Sequence, residues 1–531
     1  MLLLSLLLAG VAAPTITPAE IKADVRMLAS DAFVGRGPGE EGEAATLAYL
    51  ERQFASAGLQ PGGENGGWYQ DVPLVRLDRQ AGATLSMTVS GRAIPLRIGR
   101  QASLALSNPG RTQVIDAPLV FAGFGIVDPA TGHDDFAGVD LKGRIALVLA
   151  NDPDFEAGQD LGFEGRRLVI AGRVGSKFAA ARKAGVLGVL VIHEDAAASY
   201  PFSQVAQPLP GAVPAPLAPS PLQLTGWLDR SAWAPLLKTL KLDLATLKAR
   251  ARAPGFRAIP LDGVTVSASG DVKATPFTSR NIIARLPGTS RPDEVVLYGA
   301  HWDANGRNGP DATGDAIRNG AIDNGIGTAE LLAVARAFAK APRTDRTVMF
   351  AAWTAEEKGL LGASFYAAHP LAPLETTVAV INLDPHVALP TSTTIELIGG
   401  GRTTLETDLA RVAAQQGLRV VPEPSPEAGW YFRSDHYPFA SAGVPALAFR
   451  IGRDLAKGGA AAGTRIVDRY NARCYHQPCD AFDAAWTAQG AAQEASVAFA
   501  LGHDLATGNA WPGWTDPVLQ SKRDLSKARR R

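Results

Sequence analysis

The amino-acid sequence predicts an α/β fold with a mostly parallel, mixed sheet that is sandwiched between helices. From residue 281 onward, short apolar runs rich in β-branched and aromatic residues alternate with segments of helical periodicity. The length of 531 residues exceeds one typical domain, so we expect a second unit beside this one. The predicted strands cover residues 294–300, 347–353, 378–383, 394–397 and 445–449, and the predicted helices cover 328–340, 360–368, 405–416 and 491–505.

The first 13 residues are predicted to be a signal peptide. Met1 to Ala13 is an apolar run that ends in Gly-Val-Ala-Ala, and these small residues favour cleavage near Ala13. The run is too short for an ordinary transmembrane helix, and no basic residue precedes it. No later run of about 18 apolar residues occurs, so we expect an exported protein, periplasmic or extracellular, without stable membrane insertion.

Residues 14–270 are predicted to contain two parts. The first, 14–105, holds two amphipathic helical patterns separated by the loop Val34-Gly-Arg-Gly-Pro-Gly39, and then alternating strands. The second, 106–270, contains apolar strands around 118–125, 143–149 and 188–192 and a proline-rich linker, which is typical of a small α/β insertion. The α/β region of residues 271–515 follows. Residues 516–531 are interpreted as a basic tail that is disordered from residue 522.

The charge balance and the cysteine content limit the binding partners and the chemistry that the sequence suggests. The 52 Lys and Arg residues balance the 52 Asp and Glu residues, so charge gives no reason to expect nucleic-acid binding. Only two cysteines occur, Cys474 and Cys479, and in an exported chain such a close pair suggests one local disulfide. A zinc knuckle that includes His476 is the alternative, but the spacing supplies no fourth ligand. The sequence carries no signal for an oligomeric state.

Possible metal ligands follow several of the predicted strands, and one precedes a helix. Ligands collect at the carboxyl ends of the strands in an open α/β sheet, so we expect these side chains to share one crevice. Histidine and carboxylate ligands without thiolates suit zinc, manganese or cobalt, and two histidines with three acids suit a pair of divalent ions joined by a bridging carboxylate. The candidate residues are His301, Asp323, Glu356, Glu357, Asp384 and His476.

Local spacing suggests a division of roles. Glu356 and Glu357 are adjacent, and neighbouring side chains on an extended segment point in different directions, so one can bind a metal while the other transfers a proton. The alternative is a solvated pair at a helix start, where the helix dipole favours acids. Asp303, two residues after His301, is placed to accept the second imidazole N–H and to fix the tautomer.

Five short motifs occur in the order His301-x-Asp303, Asp323-Asn-Gly-x-Gly, Trp353-Thr-Ala-Glu-Glu-x-Gly-Leu-Leu-Gly-Ala-Ser364, Asn382-Leu-Asp384 and Tyr475-His476-x-Pro. Together they resemble the M28 family of zinc aminopeptidases and related exopeptidases, and the resemblance covers roughly residues 20–60 and 281–505. Segments between residues 121 and 189 are similar to a protease-associated domain, which such enzymes often carry as an insertion. The resemblance therefore implies the zinc exopeptidase fold with an inserted protease-associated domain.

The resemblance also implies a site with two zinc ions per chain. Each ion would have one histidine and one acid of its own, and one aspartate would bridge the two ions. The pairs so assigned are His301 with Asp384 and Glu357 with His476, and the bridging residue is Asp323.

Further roles follow from the same resemblance. Glu356 would be the general base, and Asp303 would orient the histidine beside it. Arg433-Ser-Asp-His436 matches a family stretch near the substrate pocket, in which His436 is either a pocket residue or structural. Gly325-Ile326 and Pro385 depart from the family's usual residues, and we expect them to reshape the pocket without removing a ligand.

We therefore predict a secreted zinc-dependent aminopeptidase that acts on peptides. A carboxypeptidase or dipeptidase of the same family is the first alternative. A glutaminyl cyclase is the second, although such enzymes generally lack the inserted domain. A non-catalytic, receptor-like binding protein is the third, although such proteins typically lose ligands or the base. No Gly-x-Ser-x-Gly motif occurs, so the sequence gives no reason to expect a serine nucleophile.

Overall fold

The computed structural model describes residues 14–107, 113–155, 157–206, 211–216, 222–385 and 387–528. The predicted signal peptide lies outside the described residues. The chain divides into two compact units. The first unit comprises the described residues within Met1–Val72, Arg280–Pro422 and Ser434–Arg531, and the second comprises those within Pro73–Ser279 and Glu423–Arg433.

The first unit is built around a mixed sheet of which we number seven strands in chain order. They are β1 (Val272–Leu286, which enters the unit at Arg280), β2 (Arg291–His301), β3 (Arg346–Trp353), β4 (Thr377–Asn382), β5 (Thr394–Leu397), β6 (Arg419–Pro422) and β7 (Ala446–Ile451). Their order across the sheet is β1-β3-β2-β4-β7-β5-β6. The pairs β1–β3 and β7–β5 are antiparallel and the other four are parallel, so the predicted mostly parallel mixed sheet is confirmed.

Helices cover the strands of this sheet, which explains why the strands are apolar throughout. Every residue of β3 and of β4 is buried, as expected for parallel strands with both faces covered. The first helix begins with a capping box, in which Thr17 Oγ1 accepts the N–H of Glu20 at 3.3 Å and the Glu20 carboxylate accepts the N–H of Thr17 at 2.7 Å. The helices are Pro18–Leu28, Glu43–Ser56, Gly327–Lys340, Leu361–Ala368, Leu405–Gln415, His436–Ser441, Gly459–Arg473, Gln489–Thr507 and Pro517–Ala528.

The prediction of a disordered basic tail is wrong for residues 522–528. These residues continue the helix Pro517–Ala528, and Arg523 within it is only 1% exposed. The Arg523 guanidinium donates to the carbonyl of Val378 at 2.9 Å and lies 4.9 Å from the ring of Trp511. The basic composition of this segment did not indicate that Arg523 is buried. A guanidinium can be buried when a carbonyl group accepts its hydrogen bond and an aromatic ring packs against it.

The second unit is a small α/β unit, as its apolar strands predict. Parallel strands form the middle of its sheet, and antiparallel strands continue it on both sides. In spatial order the strands are Arg92–Pro95, Thr84–Val89, Ile259–Gly270, Gln113–Phe121, Ile145–Leu149, Gly188–Ile192, Leu224–Leu228 and Ala105–Leu106. Its helices are Val174–Lys183, Asp195–Ala198, Arg230–Thr239 and Leu244–Arg252.

This unit is larger than the predicted insertion of residues 106–270. Thr84–Val89 pairs antiparallel with Ile259–Gly270 and so extends the same sheet. Residues 73–105 therefore belong to this unit, although the predicted boundary grouped them with the preceding residues in the part 14–105. The distant segment Glu423–Arg433 belongs to this unit as well. Pairing between strands so far apart in the chain leaves no local mark in the sequence.

No described helix of either unit is long and apolar enough to cross a membrane.

Candidate metal centre

Four of the predicted site residues lie at the ends of three adjacent strands of the first unit or directly after them. β2 lies between β3 and β4, so the loops that follow these parallel strands meet at one edge of the sheet. His301 is the last residue of β2, Glu356 and Glu357 follow β3, and Asp384 follows β4. The sequence order thus becomes a spatial cluster because parallel strands end on the same side.

The other two site residues come from segments outside the sheet. Asp323 lies in the irregular turn Ala321–Ile326 immediately before the helix Gly327–Lys340. His476 lies after the helix Gly459–Arg473, in the short loop that the Cys474–Cys479 disulfide closes. The predicted local disulfide is confirmed, and a zinc knuckle is excluded because the two sulfur atoms are bonded to each other.

Asp323 faces both histidines. Its Oδ1 lies 3.4 Å from Nε2 of His301, and its Oδ2 lies 3.1 Å from Nε2 of His476. Nε2 of His301 also lies 3.8 Å from Asp384 Oδ1 and 3.7 Å from Glu356 Oε2, while Nε2 of His476 lies 3.1 Å from Glu357 Oε2. The side chains therefore form two groups, each with one histidine, and Asp323 stands between them.

The spacing of these atoms fits zinc. Ligand atoms at 2.0–2.1 Å from a tetrahedral zinc ion stand about 3.3 Å apart, which is close to the observed separations. Nε2 of His301 and Oε1 of Glu357 are buried and have no hydrogen-bond partner among the described residues. Leaving buried polar atoms unpaired is costly, and a bound cation removes that cost. The donor set, of nitrogen and carboxylate oxygen, is the one zinc accepts.

The histidines are strongly basic as long as no metal is bound. Burial acts to lower the pKa of His476, but the carboxylates of Glu357 and Asp323 outweigh it and raise that pKa to about 9. Burial likewise opposes the carboxylates around His301, which raise its pKa well above the ordinary value. Burial would raise the pKa of Asp323, but the close imidazole groups of His301 and His476 outweigh it and lower that pKa. Two imidazolium ions thus balance the acids, and metal binding would release their protons.

Asp303 is fully buried and supports the site through two different groups. Nδ1 of His301 donates to the backbone carbonyl of Asp303 at 3.1 Å, whereas the nearest carboxylate oxygen lies 3.6 Å away. Because a carbonyl can only accept, this contact keeps a proton on Nδ1 and turns Nε2 to the acids, whether or not Nε2 is also protonated. The Asp303 carboxylate instead accepts the backbone N–H groups of Glu356 at 3.0 Å and Glu357 at 3.4 Å.

Ser434 supports Asp384. The Ser434 hydroxyl donates to Oδ2 of Asp384 at 2.5 Å and accepts from Nδ2 of Asn382 at 2.7 Å. This chain of hydrogen bonds holds the oxygen of Asp384 that does not face His301. His436, two residues further, is fully buried at the start of its helix and belongs to neither histidine group.

Asp435 adds a buried acid beside this site. Neither of its carboxylate oxygens has a hydrogen-bond partner within the described part of the chain. Burial raises the pKa of Asp435 well above its usual range, with His301 opposing this shift and Asp303 and Asp384 adding to it. The sequence had pointed to the stretch around residue 435 through the family resemblance but gave this residue no role.

The sequence missed two charged residues that contact the site. Arg36 is fully buried, and burial lowers its pKa to about 10 against the opposing charges of Asp480 and Asp303, so it stays charged at neutral pH. Asp480 accepts the backbone N–H groups of Ile322 at 2.9 Å and Asp323 at 3.1 Å. Both residues bind backbone atoms, so neither is part of a periodic sequence pattern. The sequence features that could have pointed to them are the glycine-rich loop around Arg36 and Cys479 next to Asp480.

The two histidine–acid groups, with Asp323 facing both histidines at the carboxyl edge of the parallel strands, form a site whose donor atoms suit zinc ions. The sequence around this site was also compared with models of known protein families. Residues 281–500 match the model of Peptidase family M28, and the sequence similarity to that family is located in this segment.

Curated proteins are similar to parts of this chain. The probable zinc metalloprotease of Pyrenophora tritici-repentis (strain Pt-1C-BFP) is 38% identical over 109 residues, which cover 20% of this chain and 24% of that protein. Leupeptin-inactivating enzyme 1 of Streptomyces exfoliatus is 31% identical over 208 residues, which cover 38% of this chain and 43% of that protein. The chain thus spans less than half the length of these curated relatives.

A solved structure shows that the likeness in fold extends beyond the matched segment. The aminopeptidase from Aneurinibacillus sp. strain AM-1 aligns with a TM-score of 0.56 over 94% of this chain and 96% of that chain. Its sequence identity of 19% makes this a likeness of fold.

Proposed function

We propose that this protein is an exported aminopeptidase that uses two zinc ions to remove N-terminal residues from peptides. The observation that carries the proposal is the position of Asp323, whose two oxygens face the histidines of separate groups at 3.4 and 3.1 Å. One carboxylate between two such groups suits a pair of metals that act on one substrate. The proposal also takes support from the name of the Aneurinibacillus neighbour, which is an aminopeptidase.

The residues divide between the two ions as the family resemblance implies. His301 and Asp384 would hold the first ion, Glu357 and His476 the second, and Asp323 would bridge them. Bound zinc supplies a water of lowered pKa and a Lewis acid that polarises the scissile carbonyl.

Glu356 is the residue best suited to move the proton. Its carboxylate lies 3.7 Å from Nε2 of His301, at the edge of the first group, and the Asp303 carboxylate holds its backbone N–H. Burial raises the pKa of Glu356 well above its ordinary value, and the charge on His301 opposes this shift. A carboxylate of raised pKa can take the proton from the attacking water and pass it to the leaving amine.

The chemistry around the site favours the amino end of a peptide over the carboxyl end. Carboxyl oxygens accept hydrogen bonds from an α-ammonium group, whereas a C-terminal carboxylate has no proton to donate to them. The carboxyl groups are Asp303, Asp323, Glu356, Glu357, Asp384, Asp435 and Asp480.

A peptide panel tests the proposal. We expect release of amino acids from peptides with a free N-terminus and an amidated C-terminus, none from N-acetylated peptides, and loss of turnover in a chelator that zinc restores. The converse preference would identify a carboxypeptidase, and a requirement for both free ends a dipeptidase. Ammonia release from N-terminal glutamine without hydrolysis would identify a glutaminyl cyclase, and zinc binding without turnover a binding protein.

Export has its own test. The apolar segment of residues 1–13 supports it, and the protein is expected in the periplasm or medium when produced from the full sequence. A matched chain that starts at residue 14 is expected to stay inside the cell. Equal distribution of the two chains would contradict export through this segment.

A further inference from the structure

The segment that carries Asp323 is held between a guanidinium group and a carboxyl group. Arg36 binds the carbonyl groups at its start, and Asp480 binds the amide groups at its end. We call residues 319–323 the bridging segment. The guanidinium donates to carbonyl oxygens and the carboxyl oxygens accept from N–H groups, so each group meets the end of the peptide dipole that it binds.

Arg36 joins the bridging segment to the loop of the first histidine. Its Nη1 donates to the carbonyl of Asn319 at 2.6 Å, its Nη2 to that of Gly320 at 2.7 Å, and its Nε to that of Trp302 at 2.8 Å. Trp302 directly follows His301, so one guanidinium sets the distance between two metal-binding loops. Only a planar fork of donors reaches three such carbonyls, and the single ammonium of lysine does not reproduce it.

Asp480 joins the bridging segment to the loop of the second histidine. Its two carboxylate oxygens accept the N–H groups of Ile322 and Asp323, and its backbone carbonyl accepts the N–H of Ala321 at 3.0 Å. Tyr470 Oη donates to the same carboxylate at 3.1 Å. Asp480 follows the disulfide that closes the loop of His476, so the bridging segment and that loop are tied together.

We infer that Arg36 and Asp480 are positioning residues that hold the two oxygens of Asp323 towards separate metals. Without Arg36 the carbonyls of residues 302, 319 and 320 lose a buried cation, and the two loops are free to separate. Without the Asp480 carboxylate the backbone of Asp323 loses the acceptor that fixes its direction. Removing such outer contacts of a metal ligand typically lowers metal affinity 10- to 100-fold. The inference rests on the proposed zinc site but not on the proposed peptidase activity.

The test compares Arg36→Lys with Arg346→Lys. Arg346 is also a fully buried arginine of the first unit, and it donates to the carbonyls of Leu505 at 2.6 Å and Ala510 at 3.0 Å and to Glu294. Metal-free protein is titrated with zinc against a chromophoric chelator, and Tm is measured in parallel. We expect Arg36→Lys to lose at least tenfold in zinc affinity and Arg346→Lys to bind zinc as the wild type does.

Asp480→Asn provides an independent arm that keeps the shape of the side chain. The asparagine amide places its own N–H groups against one of the two backbone N–H donors, so that hydrogen bond is lost. We therefore expect weaker binding of zinc and an altered visible spectrum of the cobalt-substituted protein. A purely structural role predicts lower Tm in all three variants with wild-type zinc affinity, and that result would overturn the inference. A wild-type protein that binds two zinc ions but cleaves no peptide would refute the proposed function and leave this comparison intact.

Discussion

The carboxylate of Asp303 accepts the backbone N–H of Glu356 at 3.0 Å. It thereby fixes the turn that presents Glu356 and Glu357 to the site. Asp303→Asn replaces one carboxylate oxygen by an amide that cannot accept, so we expect kcat to fall about 10- to 100-fold. Steady-state kinetics and zinc content on the same sample check this. A variant with wild-type kcat and full zinc would show that the backbone of this turn holds its place without Asp303.

Glu356→Gln separates proton transfer from metal binding. The amide fills the same space but takes up no proton, so we expect both zinc ions to remain and kcat to fall about 10²- to 10⁴-fold. Glu357→Gln is the matched control, because its carboxylate lies 3.1 Å from Nε2 of His476, and we expect it to weaken the second ion instead. Near wild-type turnover of Glu356→Gln with both metals bound would show that another group is the base.

Ser434→Ala tests the support of Asp384. The variant loses the hydroxyl that joins Asn382 to Asp384, and we expect zinc affinity to fall about tenfold. Ser441→Ala, at the exposed end of the helix His436–Ser441, is the control and should leave affinity unchanged. Chelator competition measures both variants. Equal affinities would mean that Asp384 keeps its orientation through other contacts.

The sheet and the cluster of candidate ligands were predictable because each leaves a local mark in the sequence. β3 and β4 are continuous apolar runs, and the predicted strands 347–353 and 378–383 match them within one or two residues. The candidate ligands Glu356, Glu357 and Asp384 follow these strands and stand in short motifs. Arg36 was not predictable as a site residue, since its partners are backbone atoms and one of them lies 283 residues away. The extent of the second unit escaped prediction for the same reason, because strand pairing over long separations has no local signature.

Glu494 makes stability depend on pH. Its side chain is fully buried and accepts the N–H of Ile451 at 2.6 Å, and burial raises its pKa to about 8. The folded state therefore keeps a proton that the unfolded state loses near pH 4.5, so this group reduces stability as pH rises from 4.5 to 8. The slope is at most about 1.4 kcal/mol per pH unit.

Glu494→Gln removes this proton linkage and keeps the acceptor for Ile451. We expect the variant to have a higher Tm than the wild type at pH 8 and a similar Tm at pH 4. Thermal unfolding of the two proteins across this range, with chelator present in both, provides the measurement. A difference in Tm that stays constant with pH would show that Glu494 is not protonated in the folded state.

The insertion of the second unit between Val72 and Arg280 also has a temporal consequence. During synthesis at about 5–20 residues per second, Arg36 emerges roughly 14 to 57 s before Asn319, to which it donates. Most of the second unit leaves the ribosome in that interval and can collapse around its own core, while the helices Pro18–Leu28 and Glu43–Ser56 wait with their apolar faces uncovered. His476 and Asp480 are translated later still. During this interval the helices Pro18–Leu28 and Glu43–Ser56 of the nascent chain are exposed to chaperones and proteases. The capacity to bind metal is among the last properties that the chain acquires.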